Sequence, residues 1–323
     1  MLRGQVTDAL RHRPPEHALR WAAESVGRGS QVTSVRRLTE GGWHANHALT
    51  VVDRGRRSHR LVLRRWARPG WWIDDPDFTP EREARVLTLL SDTPVPVPLV
   101  VAADPEAACC DVPALVLTRL PGRPPGLPGD MDGFLAQLAE ALTEIHAVDG
   151  RARELIPAYR SYYDPRSATA PAWCRRRRLW ERAIEAATEP PPDGRRCLIH
   201  RDYQPENTLW SRERLTGIVD WTSASWGSAA VDTGHMRWNL AVSYGLDAAD
   251  EFLRRHRSLT SDTLDDQRYW DIVTVLDLVR EIEPGEWAAF DLARLERYLE
   301  SVLSGYSPRR RTARPSGSSR RDR

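Results

Sequence analysis

Three polar side chains, Asp202, Asn207 and Asp220, lie between short apolar runs of the sequence. Asp202 and Asn207 follow the run Cys197 to Ile199, and Asp220 directly follows Ile218-Val219. Short apolar runs favour buried strands, which hold neighbouring polar groups rigidly. A positioned carboxylate can take a proton from a reacting hydroxyl, and carboxylate and amide oxygens are the ligands that Mg²⁺ prefers. These residues therefore predict proton abstraction beside a magnesium ion.

The spacing of these residues narrows the chemistry further. The segment from His200 to Asn207 fits the pattern H-R-D-x-x-x-x-N, which is the catalytic loop of one class of phosphoryl-transfer enzymes. Asp202 is then the candidate general base, and we expect His200 to shape the loop by bonding to backbone. The turn-prone residues 211–214 predict a β-hairpin from Asn207 to Asp220. A hairpin brings its two ends together, so we expect Asn207 and Asp220 to share a Mg²⁺ ion.

Composition places the chain among globular proteins. Hydrophobic residues make up 41% and charged residues 28% of the 323 residues, and this length suits one two-lobed domain or two small domains. All 47 basic residues are arginine, so a site that commonly uses lysine must use arginine here. The four cysteines lack metal-ligand spacing, which favours reduced thiols and a cytoplasmic location. The N-terminus has no signal-peptide pattern, and no segment approaches 18 apolar residues, so we expect no membrane segment.

Charge is distributed unevenly along the chain. Residues 309–323 contain seven arginines and one aspartate, so the remainder carries a net charge of about −4 although the whole chain is +2. We therefore expect residues 307–323 to form a disordered Arg-rich tail. We do not expect a nucleic-acid partner, because the body of the protein is mildly acidic. The sequence gives no indication of the oligomeric state.

The first part of the chain predicts a small antiparallel sheet with one important helix. A Thr79-Pro80-Glu81 start, with a cap, a first-turn proline and an acid, predicts a helix that reaches Leu90. The prolines from Thr93 to Pro98 predict an extended segment. Breaker residues from Pro121 to Gly126 mark a lobe boundary. A short helix is also predicted over residues 16–26. Four strands are predicted over residues 31–38, 46–52, 61–66 and 113–120.

The second part of the chain is predicted to be mainly helical. Apolar residues recur at helical spacing in six segments, over residues 131–146, 172–188, 229–243, 247–257, 266–281 and 288–304. A small sheet lobe followed by a larger helical lobe gives an α+β fold class. We expect a nucleotide-binding lobe over residues 1–120 and a catalytic, acceptor-binding lobe over residues 121–306.

Taken together, these features resemble the aminoglycoside phosphotransferase (APH) family, whose members are small-molecule kinases with a two-lobed, protein-kinase-like fold. The resemblance covers residues 33 to about 300, and its specific pieces are the His200-to-Asn207 loop and Asp220. Weaker matching pieces are Gly41-Gly42, 61–64, the Glu83 helix, 94–98, 117–122, 138–146, Trp221, Gly227 and Asp232. The resemblance implies Mg²⁺ and ATP or GTP. It also implies transfer of the γ-phosphoryl group to a hydroxyl of an antibiotic, a natural product or a metabolite.

The resemblance also implies roles for residues of the first lobe. Arg64 takes the place of the phosphate-binding lysine and pairs with Glu83, although Arg65 is an alternative because both faces of its strand are apolar. Gly41 and Gly42 either let backbone N–H groups approach the phosphates or form a plain hairpin turn. The segment Thr118, Arg119 and Leu120 is expected to contact the nucleotide.

The sequence leaves alternative roles open for several residues. Asp232 either braces the catalytic loop or caps a helix. Residues 229–306 carry a net charge of −7, which favours either a cationic acceptor or a solvated helix face. Tryptophans 43, 71 and 72 are candidates for a lid, whereas 180, 238, 270 and 287 are candidates for the core. A nucleotide-binding pseudokinase or regulatory protein is the alternative function. A short path from Asp220 to the next helix, with no Ala-Pro-Glu anchor, argues against protein substrates.

Overall fold

The structure is a computed structural model that describes residues 12–38, 44–67, 78–148, 150, 152–161, 164, 166–260, 267–278 and 289–306. The strands in these ranges are β1 Gln31–Arg37, β2 Ala45–Val52, β3 Ser58–Arg65, β4 Val100–Asp104, β5 Ala114–Thr118, β6 Arg196–Ile199, β7 Thr208–Ser211, β8 Arg214–Ile218 and β9 Ser225–Ser228. The α-helices are α1 Glu16–Glu24, α2 Pro80–Leu90, α3 Met131–His146, α4 Ala152–Leu155, α5 Arg177–Ala187, α6 Ala229–Ser243, α7 Leu246–Leu259, α8 Gln267–Leu278 and α9 Ala289–Ser304. The predicted tail, residues 307–323, lies outside the described residues.

The first five strands form one antiparallel sheet in the order β1-β2-β3-β5-β4. The α+β fold class predicted from the sequence is confirmed. The prediction missed β4, because Val100–Asp104 is short, lies at the sheet edge and shows no alternation of buried and exposed residues. The strand predicted over residues 113–120 is shorter, at Ala114–Thr118.

The two faces of this sheet are covered by different helices. Helix α1 packs Leu19 and its neighbouring alanines against one face, where Leu61 and Leu63 of β3 are buried. Helix α2 packs on the other face, against a larger core that includes Leu115. It begins as predicted, because Thr79 accepts a hydrogen bond from the Arg82 N–H at 3.2 Å and a proline occupies the first turn. Consecutive β3 side chains therefore point into different environments.

The helices of the second part bury an apolar core that is continuous with the α2 side of the sheet. Helices α3 and α6 have the bounds that the sequence predicts. The helix predicted from residue 172 instead begins at Arg177. The preceding N–H groups of Arg175 and Arg176 donate to the buried Glu296 carboxylate of α9, at 2.9 and 3.1 Å. A distant side chain thus fixes this helix start, which local periodicity could not reveal.

Two further pairs of short strands lie in the second part of the chain. Strands β7 and β8 pair antiparallel, with Thr208 opposite Ile218, as the predicted hairpin requires. Strand β6 precedes this hairpin in the sequence and β9 follows it, and the two strands pair antiparallel with each other. No helix in the described ranges is both long and apolar enough to cross a membrane. All four cysteines are free thiols.

Two buried histidines predict how stability depends on pH. Burial, followed by the Arg65 charge, lowers the pKa of His47 to about 4, and burial, followed by His146, lowers the pKa of His256 to about 3. In the unfolded chain each imidazole protonates near pH 6.5, whereas the folded protein keeps both neutral until the pH reaches those lower values. The unfolded state therefore binds more protons below pH 6.5, and the free energy of unfolding falls as the pH falls.

We expect a loss of about 1.4 kcal/mol per pH unit for each of these histidines below about pH 6. Urea unfolding between about pH 7.5 and 5 measures this slope. His256→Gln should reduce the slope, whereas the exposed His17, changed to Gln, provides the control that should leave it unchanged. A free energy of unfolding that stays constant over this range would contradict the prediction.

Candidate active site

The loop from His200 to Asn207 follows the buried strand β6 and is shaped by the imidazole of His200. This ring is fully buried and lies 4.4 Å from the Trp221 ring. Its Nε2 donates to the Val219 carbonyl oxygen at 3.0 Å, and its Nδ1 accepts the Asp202 N–H at 3.3 Å. In these two contacts Nε2 is the donor and Nδ1 is the acceptor. His200 thus contacts backbone, as expected, and joins the loop to the end of the β7–β8 hairpin.

Asp232 of α6 braces the same loop. Its carboxylate accepts the N–H groups of His200 at 2.8 Å and of Arg201 at 2.6 Å, and Nε2 of His146 lies 3.1 Å away. The left-handed conformation of Arg201, with φ of 71°, forms part of this tight turn. Burial alone would raise the pKa of Asp232, but the contacts with His146 and His200 lower it. Ser228 caps α6 instead, so Asp232 contacts the loop and does not cap the helix.

Removing the Asp232 carboxylate should therefore damage both stability and the loop. Asp232→Ala leaves two buried N–H groups without an acceptor, which should cost about 2–5 kcal/mol of folding free energy. Asp104 offers a matched control, because its buried carboxylate accepts three backbone N–H groups of the loop between β4 and β5, from Ala108, Cys109 and Cys110.

We expect both Asp232→Ala and Asp104→Ala to lower the thermal midpoint. Only Asp232→Ala should also lower the turnover number of the folded protein, measured at a temperature where both variants are folded. Equal turnover numbers for the two variants would show that the Asp232 brace does not serve the loop.

Asp202 and Asn207 are in direct contact. The Asn207 Nδ2 donates to the Asp202 carbonyl at 2.9 Å and to its Oδ2 at 2.7 Å. Gln204 Nε2 donates to Asp202 Oδ1 at 2.9 Å. The Asp202 side chain is still 34% exposed, so a hydroxyl can approach it. Because Asn207 uses its amide nitrogen on Asp202, its amide oxygen is the atom that it can offer to a metal.

Asp220 lies beside Asn207 because the hairpin closes there. The Val219 N–H donates to the Asn207 carbonyl at 2.9 Å, and Asp220 then adopts a left-handed conformation with φ of 66°. Oδ1 of Asp220 accepts a short hydrogen bond from Arg64 Nη2. Arg64 also donates from Nε to Glu83 Oε2 at 2.7 Å. Arg64 therefore joins the sheet, helix α2 and the end of the hairpin in one ionic cluster.

Thr222 completes this cluster, and the sequence interpretation missed it. Its hydroxyl accepts Arg64 Nη2 at 2.8 Å and lies 3.1 Å from Asp220 Oδ1 and 3.3 Å from Glu83 Oε2. The Trp221 N–H also donates to Glu83 Oε1, at 3.3 Å. The sequence signal that could have identified Thr222 is its position two residues after Asp220, the metal-ligand candidate.

The charges in this cluster determine which acid is ionised. Burial would raise the pKa of Asp220, but the Arg64 guanidinium, with smaller effects from His44 and His200, lowers it to about 2. Burial raises the pKa of Glu83, and the nearby Asp220 charge adds to this while Arg64 opposes it. Burial disfavours the Arg64 charge, yet its two acidic partners raise its pKa overall. Asp220 is thus a carboxylate at neutral pH and can serve as a ligand.

Arg65 points to the opposite face of the sheet. Its Nη1 donates to Asp111 Oδ2 at 2.6 Å, on the side covered by α1. Alternation along β3 places Arg64 on the α2 side with Glu83 and Asp220. The structure therefore brings Arg64, and not Arg65, to the other candidate residues.

The metal-ligand candidates form a sparse donor set. The oxygens available are the Asn207 amide oxygen and Oδ2 of the ionised Asp220, and both are hard donors. No cluster of three or more acidic, His or Cys side chains suited to a metal occurs among the described residues. Two protein oxygens are what Mg²⁺ commonly takes when phosphate oxygens and water complete its octahedron, so these residues fit Mg²⁺ bound together with a nucleotide.

The segment Thr118, Arg119 and Leu120 lies where β5 ends. The Thr118 hydroxyl accepts the Leu99 N–H at 2.8 Å, and the Arg119 N–H donates to the Arg60 carbonyl at 2.9 Å. These two groups already have partners within the sheet. Leu120 instead packs closely against Gly217 of β8, where an added Cβ would come within 2.5 Å of its side chain. The Thr118 hydroxyl, the Arg119 N–H and the Leu120 side chain thus all have contacts within the protein.

The remaining candidates divide between core and undescribed positions. Trp180, Trp238 and Trp270 are buried, with 8% exposure or less, as the core prediction requires. Gly41, Gly42 and tryptophans 43, 71, 72 and 287 lie outside the described residues. His44, also missed, is buried beside the cluster, with its ring 4.6 Å from Trp66, over which Arg64 lies at 5.4 Å.

A model of the phosphotransferase enzyme family, APH, matches residues 35–270. A curated relative, acyl-CoA dehydrogenase family member 10 of Mus musculus, is 24% identical over 217 residues, or 61% of this chain. The chain spans only 20% of the length of that relative.

Solved structures share the fold at low sequence identity. A thermostable mutant of aminoglycoside phosphotransferase APH(4)-Ia, in ternary complex with AMP-PNP and hygromycin B, has a TM-score of 0.61 at 18% identity, covering 90% of this chain and 98% of its own. Macrolide 2′-phosphotransferase MphH from Brachybacterium faecium has a TM-score of 0.56 at 21% identity, covering 94% and 100%. An APH(2″) enzyme in complex with GDP and kanamycin has a TM-score of 0.56 at 18% identity, covering 85% and 93%.

Proposed function

Because the chain belongs to the APH phosphotransferase enzyme family, we propose that it transfers the γ-phosphoryl group of ATP or GTP to a hydroxyl of a small molecule. The observation that carries this proposal is the arrangement around the catalytic loop. A partly exposed carboxylate, Asp202, lies in contact with Asn207, and Asn207 adjoins the ionic cluster of Asp220 and Arg64. In this arrangement Asp202 can take a proton while Arg64 binds phosphate and Asn207 and Asp220 bind the metal.

Asp202 is the proposed general base. An acceptor hydroxyl donates to its carboxylate, and the acceptor oxygen forms a bond to the γ-phosphorus as the bond to the leaving nucleoside diphosphate breaks. The hydroxyl proton passes to Asp202 late in this step, because the transition state of phosphoryl transfer is loose. Asn207 and Gln204 fix the orientation of the carboxylate, so most of the catalytic effect comes from positioning and charge.

The nucleotide side of the proposed site is built on Arg64. Its fork binds Glu83 and Asp220 through Nε and Nη2, which leaves Nη1 as the part not used in these contacts. The guanidinium carries the same positive charge as lysine, so Arg64 can replace lysine in this position by donating from Nη1 to a phosphate oxygen. Asn207 and Asp220 would hold Mg²⁺, which neutralises phosphate charge when bound. We propose that residues 1–120 form the nucleotide-binding lobe, with Gly41, Gly42 and the segment 118–120 contacting the nucleotide. Residues 121–306 form the proposed catalytic and acceptor-binding lobe.

The proposed acceptor is an antibiotic, a natural product or another small metabolite. The related structures were solved with hygromycin B or kanamycin, and another relative is a macrolide 2′-phosphotransferase. The acidic residues of 229–306 support a cationic acceptor only in part. Asp250 and Asp271 pair with Arg237, and Glu296 accepts two N–H groups before α5. Several of these acids thus stabilise the helices, which leaves fewer for an acceptor.

An acceptor panel tests the proposed function. Release of ADP or GDP is measured with Mg²⁺ and either nucleotide across aminoglycosides, macrolides, sugars and amino alcohols, and the product is checked by mass spectrometry. We expect transfer of one phosphoryl group to at least one acceptor, and transfer by Asp202→Asn that is slower by about 10²–10⁴. Nucleotide binding without transfer to any acceptor would instead support the regulatory alternative.

A further inference from the structure

A histidine of α6 contacts the proposed base. His235 Nε2 lies 3.0 Å from Asp202 Oδ1, and the two side chains are 18% and 34% exposed. The contact joins residues 33 positions apart in the sequence. Nothing in the H-R-D-x-x-x-x-N pattern requires a histidine here.

The position of His235 follows from the helix that carries it. Asp232 anchors α6 to the loop through the N–H groups of His200 and Arg201. His235 follows Asp232 by three residues, so both side chains lie on the same face of the helix. The anchor that shapes the loop therefore also sets the distance from His235 to Asp202. The Trp238 ring lies one further turn along, 5.2 Å from the imidazole and edge-on to it.

The contacts around Asp202 leave one direction for an acceptor. A carboxylate offers about four lone-pair positions. Gln204 and His235 both lie against Oδ1, and Asn207 donates to Oδ2. The remaining position is on Oδ2. Because Gln204 donates to Oδ1 and His235 Nε2 lies 3.0 Å from the same oxygen, rotation of the carboxylate about its terminal bond is restricted.

We propose that His235 is a positioning residue, which holds Oδ1 of Asp202 so that Oδ2 accepts the proton of the acceptor hydroxyl. This inference rests on the proposed function, since it assigns the direction from which that hydroxyl approaches. The His235 imidazole also affects the pKa of Glu206. Burial, followed by the Asp202 charge, raises the pKa of Glu206, while His235 acts to lower it.

Two variants of His235 separate positioning from structure. His235→Ala removes the contact, whereas His235→Gln keeps an N–H donor at a similar reach. We expect His235→Ala to lower kcat by about 10- to 100-fold, because a small misplacement of a catalytic group has effects of that size. The nucleotide KM should stay within about twofold, since nucleotide contacts lie elsewhere, and His235→Gln should recover most of kcat. In the Asp202→Asn background, His235→Ala should cause no further loss.

A spectroscopic measurement tests the contact without an acceptor. The imidazole ¹H resonance of His235, assigned by its loss in His235→Ala, should shift when Asp202→Asn removes the adjacent charge. A resonance that does not move, a kcat that His235→Ala leaves unchanged, or equal losses in both His235 variants would each overturn the proposal. If the wild-type protein phosphorylates no acceptor while the resonance shifts as expected, the contact stands and the proposed function fails instead.

Discussion

Asp202→Asn should abolish most turnover and leave nucleotide binding intact. The substitution removes the negative charge of the Asp202 side chain and preserves its shape. In the wild-type protein Oδ1 of this side chain contacts Gln204 and Oδ2 contacts Asn207. A positioned general base contributes about 10²–10⁴ in rate, so we expect kcat to fall by that range. The dissociation constant for AMP-PNP should change by less than about twofold, because the nucleotide contacts are assigned to other residues.

The turnover number and the dissociation constant for AMP-PNP are measured on the same preparation of each variant. Turnover is followed with the acceptor found in the panel, and AMP-PNP binding is followed by calorimetry. Glu206→Gln, a neutral substitution of a carboxylate within the same loop, is the matched control and should retain much more activity. Asp202→Asn with full activity would remove Asp202 from the mechanism.

Arg64→Ala should weaken nucleotide binding far more than Arg65→Ala. Arg64 is the cation that faces Asp220 and Glu83, whereas Arg65 faces Asp111 on the other side of the sheet. A hydrogen bond to a charged group contributes about 1.5–3 kcal/mol, so the nucleotide KM should rise about 10- to 100-fold. Arg64→Lys should recover part of this loss, since lysine restores the charge but not the planar fork.

Both alanine variants also lose a buried ion pair, so stability must be controlled. Removing one partner of a buried pair commonly costs about 3–5 kcal/mol, and Arg64→Ala leaves two acids facing each other. The kinetics are therefore compared at a temperature well below both thermal midpoints. Equal nucleotide KM values for Arg64→Ala and Arg65→Ala would contradict the assignment of Arg64 to the phosphates.

The elements that local signals determine were predictable from sequence. Helices α3 and α6 match their predicted bounds, because apolar periodicity and flanking breaker residues act within a few residues. The hairpin between Asn207 and Asp220 was predictable from its turn residues, and it brings two candidate ligands together. The loop pattern around Asp202 needed no tertiary information.

Contacts between distant segments were not predictable in the same way. Arg64 and Arg65 are adjacent in a strand that is apolar on both faces, so choosing between them requires knowing which face α2 covers. Thr222 and His235 carry no motif, and their partners Arg64 and Asp202 lie 158 and 33 residues away in sequence. The start of α5 depends on Glu296 of α9. These features depend on packing between elements, which periodicity does not encode.

The proposed mechanism depends most on one claim, that Asn207, Asp220 and Arg64 together bind a nucleotide with Mg²⁺. Calorimetric titration of AMP-PNP, with and without Mg²⁺, into the wild-type protein and Asp220→Asn tests it most directly. We predict that wild-type binding strengthens when Mg²⁺ is present and that Asp220→Asn loses most of this strengthening, while Asp202→Asn retains it. No binding of AMP-PNP to the wild-type protein, or binding that is the same in Asp220→Asn with and without Mg²⁺, would contradict the claim.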